Sequence, residues 1–336
     1  MTVFLDNCYN AIKIQASSIP ETLKKVDKNQ KYTIDDKKLV VFIGCGDSYG
    51  VAEYGKWAFQ SVGVNTITLS PPELSRIHID NDILVIGISA SGRSLATIDA
   101  LNYAKSERAT TVALTDNPEG KVSQVVDHLW VTHSGVDSYN ISPSSPTTTA
   151  MVYLLKMAMM IKSMPHSKMH EDSVRLGWER MSEDMVSWAE AVGKEIVQIM
   201  NPQKPLFLIS DGPNYVAAQI GAMKFNEFSL IKGISAIREE FQHHHVLSIN
   251  NDDRGVLITD SPTELDDEKY FNILTETLKM QVYHLHTPES IQLVSPLGQA
   301  IANTIALQMA SYHTILKFNP EKQRFKLPHA EAFRIY

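Results

Sequence analysis

Short, wholly apolar runs alternate along the chain with longer stretches in which apolar residues recur every three or four positions. Leu39-Val-Val-Phe-Ile43, Thr66-Ile-Thr-Leu69, Ile83-Leu-Val-Ile-Gly-Ile88, Thr110-Thr-Val-Ala-Leu114 and His128-Leu-Trp-Val131 read as strands. Tyr49 to Val62 and Ser94 to Ala104, between them, read as helices. Continuous β-branched runs separated by helices predict a parallel sheet covered on both faces. From about Thr147 to Ile199 the pattern is helical, and it stops at Asn201-Pro202. Strands return at Leu206–Ile209, Ser235–Ile237, Val256–Ile258 and Gln281–His284, which predicts a second α/β unit. A helical stretch precedes both, and Pro20 is expected to break it into a hairpin. The two units look like diverged copies. One leads from a strand into Gly44-Cys-Gly-Asp-Ser-Tyr49, the other into Ser210-Asp-Gly-Pro-Asn-Tyr215.

Composition narrows the function classes. The 336 residues suffice for about two domains. An apolar content of 43% with 21% charged residues excludes a disordered chain. The net charge of -7 argues against nucleic acid as the main partner, because neutralising phosphates needs a basic face. No apolar run approaches the roughly 20 residues that span a bilayer, so no membrane partner is expected. The N-terminal MTVFLDNCYNAIK lacks a basic start and a long apolar stretch, so no signal peptide is expected. Two cysteines, Cys8 and Cys45, cannot staple a chain of this size, and a cytoplasmic location is expected.

Four motifs carry candidate chemistry. Gly44-Cys-Gly-Asp-Ser-Tyr-Gly50 joins a strand to a helix, where free N–H groups and the helix dipole favour an anion. Its G-x-G-x-x-x-G spacing differs from the dinucleotide fingerprint, and Leu69-Ser-Pro-Pro-Glu73 puts no acid at the tip of the next strand. Ser89-Ala-Ser-Gly-Arg-Ser94 offers three hydroxyls, a glycine and a helix start, which suits a phosphate cradle or a plain Ser-rich cap. Ser142-Pro-Ser-Ser-Pro-Thr-Thr-Thr149 opens a helix, either as a cap or as a hydroxyl-rich cover over a polyhydroxylated ligand. Gly221-Ala-Met-Lys-Phe-Asn-Glu227, with Glu239-Glu-Phe-Gln-His-His-His245 downstream, pairs a carboxylate with an imidazole, as proton shuttling between adjacent carbons requires. Three consecutive histidines cannot all face one ion from regular structure, so no metal and no cofactor is expected. In the second unit Thr259-Asp-Ser-Pro262 follows the matching strand, and Asp260 disfavours an anion there.

Taken together, these motifs resemble the sugar isomerase (SIS) domain family, in the branch of the isomerase half of glucosamine-6-phosphate synthase and free-standing deaminases and deglycases. Its strand-GCGTSY-helix is similar to Gly44–Tyr49, its S-Q-S-G-E-T to Ser89–Ser94, and its N-(V/P)-E-G-S to Asn117-Pro-Glu-Gly120. Its G-R-G-x-N-Y…E-G-A-L-K-L-K-E resembles Ser210–Tyr215 and Gln219–Glu227, and its G-E-L-K-H-G-P resembles Glu239–His245. Its L-Q-x-x-A-Y-H…D-P-D-x-P-R resembles Leu307–His313 and Asn319–Arg324.

The resemblance implies two tandem flavodoxin-like SIS domains with parallel sheets flanked by helices. It implies a helical hairpin at 1–34, a phosphate-binding domain at 35–200, a second domain at 201–316 and a tail at 317–336 that closes the site. It implies that Ser48, Ser89, Ser91 and Ser94 hold a sugar phosphate, with Gly46, Asp47, Ala90, Ser142 and Ser144 around it. Glu227 is the expected base, and His243, in a stretch beyond the Ser235–Ile237 strand that reads as a loop, assists ring opening from the partner protomer of a homodimer. The family's Schiff-base lysine falls on Pro328 here, with Lys326 nearest. Asp47 stands where the family has Thr, and Ala90 where it has Gln. The expected activity is isomerisation or isomerising deamination of a hexose or hexosamine 6-phosphate. The alternatives are a non-catalytic phosphosugar-binding module and a metal-dependent hydrolase built on the histidines.

Overall fold

The structure is a computed structural model. It describes residues 2–27, 30, 33, 34, 36–137, 141, 144–161, 178–291, 293, 295–324, 333, 335 and 336. The chain forms two compact units, one from Ser17–His170 with Lys326–Tyr336, the other from Met1–Ala16 with Glu171–Phe325.

The first unit is built on β1 (Leu39–Gly44), β2 (Thr66–Leu69), β3 (Ile83–Ile88), β4 (Thr110–Thr115) and β5 (His128–Val131). All pairs are parallel, in the order β2-β1-β3-β4-β5 of flavodoxin-like sheets. Every side chain of β3 is buried, as is all of β1 beyond Leu39. This is why the strands read as unbroken apolar runs. One face packs on α4 (Leu95–Ser106), through Ile98, Leu101 and Ala104 against Val41, Ile43, Val85 and Ala113. The other meets α3 (Asp47–Gln60), where Gly55 lets the helix approach Phe42 and Leu154 of α5 (Ser145–Ile161). In the β1–β3 register Gly44 stands opposite Ile88. The turns that begin at Cys45 and Ser89 therefore leave the sheet side by side.

The second unit carries β6 (Leu206–Ser210), β7 (Gly233–Ile237), β8 (Arg254–Ile258) and β9 (Gln281–Leu285), all parallel in the order β7-β6-β8-β9. That order repeats the first four strands of the other sheet. Its helices include α6 (Trp178–Ile196), α7 (Asn214–Lys224), α8 (Arg238–His243), α9 (Leu265–Asn272) and α10 (Pro296–Phe318). Most of α10 is buried all round, which makes it the central helix of the unit. Among the described residues no helix is long and apolar enough to cross a membrane.

Two expectations need correction. Pro20 does not break the N-terminal helices: α1 (Val3–Lys13) ends at Ile14, and Pro20 sits inside α2 (Gln15–Lys25). Anchors on both sides hold α2 through the proline. Ser18 Oγ lies 2.6 Å from Ser145 Oγ, and Thr22 Oγ1 accepts from His133 N at 2.9 Å. The stretch around His243 is not a loop. It is a short helix, α8 (Arg238–His243), followed by a 3-10 turn at His245–Ser248.

Candidate functional site

In the first unit the Ser89–Ser94 turn is fixed by its carbonyls. Gly92 N donates to Ser89 O at 3.0 Å, and Asp116 N to Ala90 O at 3.1 Å. Asn117 Nδ2 donates to Ser91 O at 3.2 Å, and Val122 N to Gly92 O at 3.0 Å. Four consecutive carbonyls are thus tied to the protein. Among the described residues, the amides of Ala90, Ser91 and Ser94 donate to no protein group. A row of outward N–H groups with adjacent hydroxyls is the chemistry of an anion nest. Gly92 makes the shape possible: its φ is +67°, and a Cβ there would lie 2.8 Å from Gly120 Cα.

The neighbouring turn has the same character. Gly46 has φ 57° and ψ -128°, a conformation open to glycine, and it caps α3 with Asp47 and Ser48 in the first turn. Asp47 accepts a hydrogen bond from Thr147 Oγ1 at 3.0 Å. Ser94 Oγ reaches Cys45 Sγ at 3.6 Å and accepts from Thr97 Oγ1 at 3.0 Å, so side chains link the two turns. Ser48, Ser91 and Ser94 are half-buried, and Ser89 is buried.

A cavity of about 210 Å³ adjoins the turn, lined by Ala90, Ser91, Arg93, Asp116, Asn117, Val136 and Asp137. Sequence reasoning did not single out Asp116. Its carboxylate accepts from Ser134 N at 2.7 Å, from Thr132 Oγ1 at 3.0 Å and from the Ser134 hydroxyl, which fixes the wall after β5. The Ser142–Thr149 segment packs inward where it is described. Ser144, Ser145 and Thr147 to Thr149 are buried, and Ser145 Oγ donates to Ser134 O at 2.9 Å. Ser142 lies outside the described residues.

The matching crevice of the second unit is filled by the protein. Asn214 Nδ2 donates to Asp260 Oδ1 at 2.7 Å, Asn303 Nδ2 to Asn214 Oδ1 at 2.9 Å, and Thr287 Oγ1 to Asn303 Oδ1 at 3.2 Å. Gln299 accepts from Ser261 N and donates to Ser261 O, each at 2.9 Å. Asn214, Thr287, Gln299 and Asn303 are buried. Asp260, expected to disfavour an anion, is held in this network by the Asn214 amide.

Glu227 lies in a π-helical turn, Phe225–Ser229, that continues α7. Its carboxylate forms an ion pair with Lys224 Nζ. The Lys224 side chain is 1% exposed and that of Glu227 39%, so a buried cation holds a carboxylate that reaches the surface. Sequence reasoning missed Lys224, although its spacing from Glu227 was visible. His243 is exposed and pairs through Nε2 with Glu239 at 2.9 Å, not with Glu227. His244 faces Glu240 at 3.9 Å. His245 packs on Phe207 and Phe241, and burial together with the His244 charge pushes its pKa down. The three imidazoles thus have three different surroundings. Among the described residues no group of three or more His, Cys, Asp or Glu side chains could hold a metal. Lys326 and Pro328 lie outside the described residues. The Ser89–Ser94 turn and Glu227 belong to different compact units.

Residues 33–161 match the SIS domain. That stretch takes in the five-stranded sheet and both of its turns. The chain is 24% identical over 339 residues to glutamine–fructose-6-phosphate aminotransferase (isomerizing) of Pyrococcus horikoshii, with 95% of this chain and 54% of that protein covered. It is 27% identical over 272 residues to the protein of the same name from Aquifex aeolicus, covering 79% and 44%. The chain thus spans about half the length of the curated relatives it matches. Its fold is similar to the C-terminal domain of glucosamine-fructose-6-phosphate aminotransferase from Francisella tularensis, with TM-score 0.77, 18% identity, and 92% and 95% of the two chains covered. It is also similar to glucosamine-6-phosphate deaminase from Thermotoga maritima, with TM-score 0.75, 16% identity, and 96% and 98% covered.

Proposed function

We propose that this protein is a phosphosugar isomerase or isomerising deaminase acting on a hexose or hexosamine 6-phosphate of the fructose 6-phosphate or glucosamine 6-phosphate type. In this reading residues 35–200 and 201–316 are two SIS-type domains, flanked by 1–34 and 317–336. The phosphate sits on the free amides of the Ser89–Ser94 turn and on the hydroxyls of Ser48, Ser89, Ser91 and Ser94, beside Gly46 and Ala90. Backbone N–H groups and hydroxyls bind a phosphate without net positive charge, which suits an acidic chain. Thr147 engages Asp47, and Arg93 supplies a compensating cation nearby.

Glu227 is the base that moves a proton between C1 and C2. Such a positioned carboxylate supplies on the order of 10²–10⁴-fold in rate. Lys224 holds the carboxylate in an ion pair and offers positive charge to the enediolate as it develops. The Lys224–Glu227 pair is the observation that carries the catalytic part of the proposal, since a pure binding module needs no cation buried under a surface carboxylate. His243 opens the sugar ring from a partner protomer, in a homodimer located in the cytoplasm. Lys326 is the candidate for an imine with a ketose. Relatives named as aminotransferases and a deaminase support the sugar 6-phosphate class.

The second reading is a non-catalytic phosphosugar-binding module, favoured by Pro328 at the register of the family's lysine. A panel of hexose and hexosamine 6-phosphates, scored for binding, ammonia release and aldose–ketose exchange, separates the two. Turnover of one member supports the proposal. Binding without turnover across the panel leaves the module reading, and no binding overturns both.

A further inference from the structure

We propose that Ser311 is a positioning residue for Glu227, and that its hydroxyl stabilises the π-helical turn on which the carboxylate is carried. The inference rests on the reading of Glu227 as the base. A π turn inserts one extra residue into a helix and disturbs the regular pairing of carbonyls at its start. At that start, Lys224 O receives a hydrogen bond from Ser311 Oγ at 3.0 Å. At the other end, Ser229 Oγ donates to Ser311 O at 2.8 Å and lies 2.6 Å from Ser311 Oγ. A single residue of α10 therefore bonds both ends of the turn. Both serines are buried, Ser311 at 1% and Ser229 at 6% exposure, so water cannot replace these bonds.

The rest of the segment is shaped to the same turn. Leu230 leaves it in the left-handed region at φ 58°, and Ile231 N returns to Phe225 O at 3.1 Å. The Asn226 side chain is bonded to both backbone groups of Gly233, at 3.0 and 2.9 Å. Loss of the extra residue from the turn would rotate the residues after it by about 100° around the helix axis and re-aim Glu227. The motif that α10 resembles has Ala at position 311, so the resemblance does not assign this hydroxyl a role.

The test compares wild type with Ser311→Ala, Ser229→Ala, the double variant and Ser311→Thr. Hydrogen exchange is read over residues 224–233, and kcat and KM are measured with fructose 6-phosphate and glucosamine 6-phosphate. The expected result for Ser311→Ala is exchange about tenfold faster in the turn than in flanking α7. With it, kcat falls about tenfold while KM stays within about twofold. The double variant is no worse than the poorer single one, because the two serines act as one unit. Ser311→Thr, which keeps a hydroxyl, restores protection. Unchanged exchange in Ser311→Ala, or a loss of kcat that Ser311→Thr does not rescue, overturns the clamp. If Ser311→Ala fails to fold, Ser229→Ala carries the same expectations. If Glu227→Gln turns over as fast as wild type, the base assignment fails, and the exchange data still decide the clamp.

Discussion

Gly92→Ala tests how the Ser89–Ser94 turn is built. Gly92 sits at φ +67°, and a Cβ there would meet Gly120 Cα at 2.8 Å, against the roughly 3.5–4.0 Å at which carbon atoms rest. Gly120 has little room to yield. Its amide donates to Asn117 O at 3.0 Å, and Val122 N, two residues on, is bonded to Gly92 O. The left-handed backbone costs a non-glycine residue about 1–2 kcal/mol, and forcing the two segments apart adds about 1–3 kcal/mol, so the loss is about 2–5 kcal/mol. Gly46→Ala is the internal control. Gly46 also has positive φ, but nothing lies within 4 Å of a Cβ built there, so only backbone strain of about 1–3 kcal/mol applies. Urea unfolding of both variants, with hydrogen exchange followed over β3 and β4, gives the two losses. Titration with glucosamine 6-phosphate reports the turn's function. The reasoning is refuted if Gly92→Ala is no more destabilising than Gly46→Ala, or if it binds the phosphosugar as tightly as wild type.

Gln299→Leu should destabilise the second unit by about 1–3 kcal/mol in urea unfolding, because it removes the hydrogen bonds that the buried Gln299 amide makes to Ser261 N, Ser261 O and Leu293 O, and a loss under about 0.5 kcal/mol would contradict this. Burial alone would raise the pKa of Glu190, but hydrogen bonds from Lys13, Lys194 and Tyr9 outweigh it and hold it at about 2, below its ordinary 4.5. A carboxylate depressed in the folded state stabilises above its unfolded pKa and loses that contribution as pH falls through the folded one. The melting-temperature gap between wild type and Glu190→Gln should therefore be constant above about pH 5 and close between about pH 4.5 and 2, and a gap unchanged at low pH would refute the pairing. Mixing Glu227→Gln with His243→Ala protomers should restore about a quarter to a half of activity if each site draws on both chains, whereas an inactive mixture would mean self-contained sites.

The sheets were legible because a parallel strand buried on both faces leaves an unbroken apolar run. Strand β3 appears in the sequence with the bounds it has in the structure, Ile83–Ile88. The two turns at the carboxyl ends of β1 and β3 were legible from glycines and serines at strand ends. Four things were not. Pro20 marks a break by local chemistry, yet tertiary bonds from Ser18 and Thr22 carry the helix past it. Helix α8 has six residues and ends in a histidine, too short for a period to show, and Glu239–His243 pairing supports it. The filled crevice of the second unit depends on Gln299 and Asn303, from a helix far along the chain whose polar positions carry no local signal. The π turn at Glu227 likewise has no sequence signature, because its partner Ser311 is remote.

The most direct test of the account is solvent-proton exchange at the sugar's C1 and C2 in deuterated water, comparing wild type with Glu227→Gln on fructose 6-phosphate and glucosamine 6-phosphate, with binding measured alongside. The account predicts deuterium incorporation by wild type and a loss of about 10²-fold or more in Glu227→Gln, with phosphosugar affinity retained. Deuterium incorporation at the wild-type rate in Glu227→Gln would contradict it.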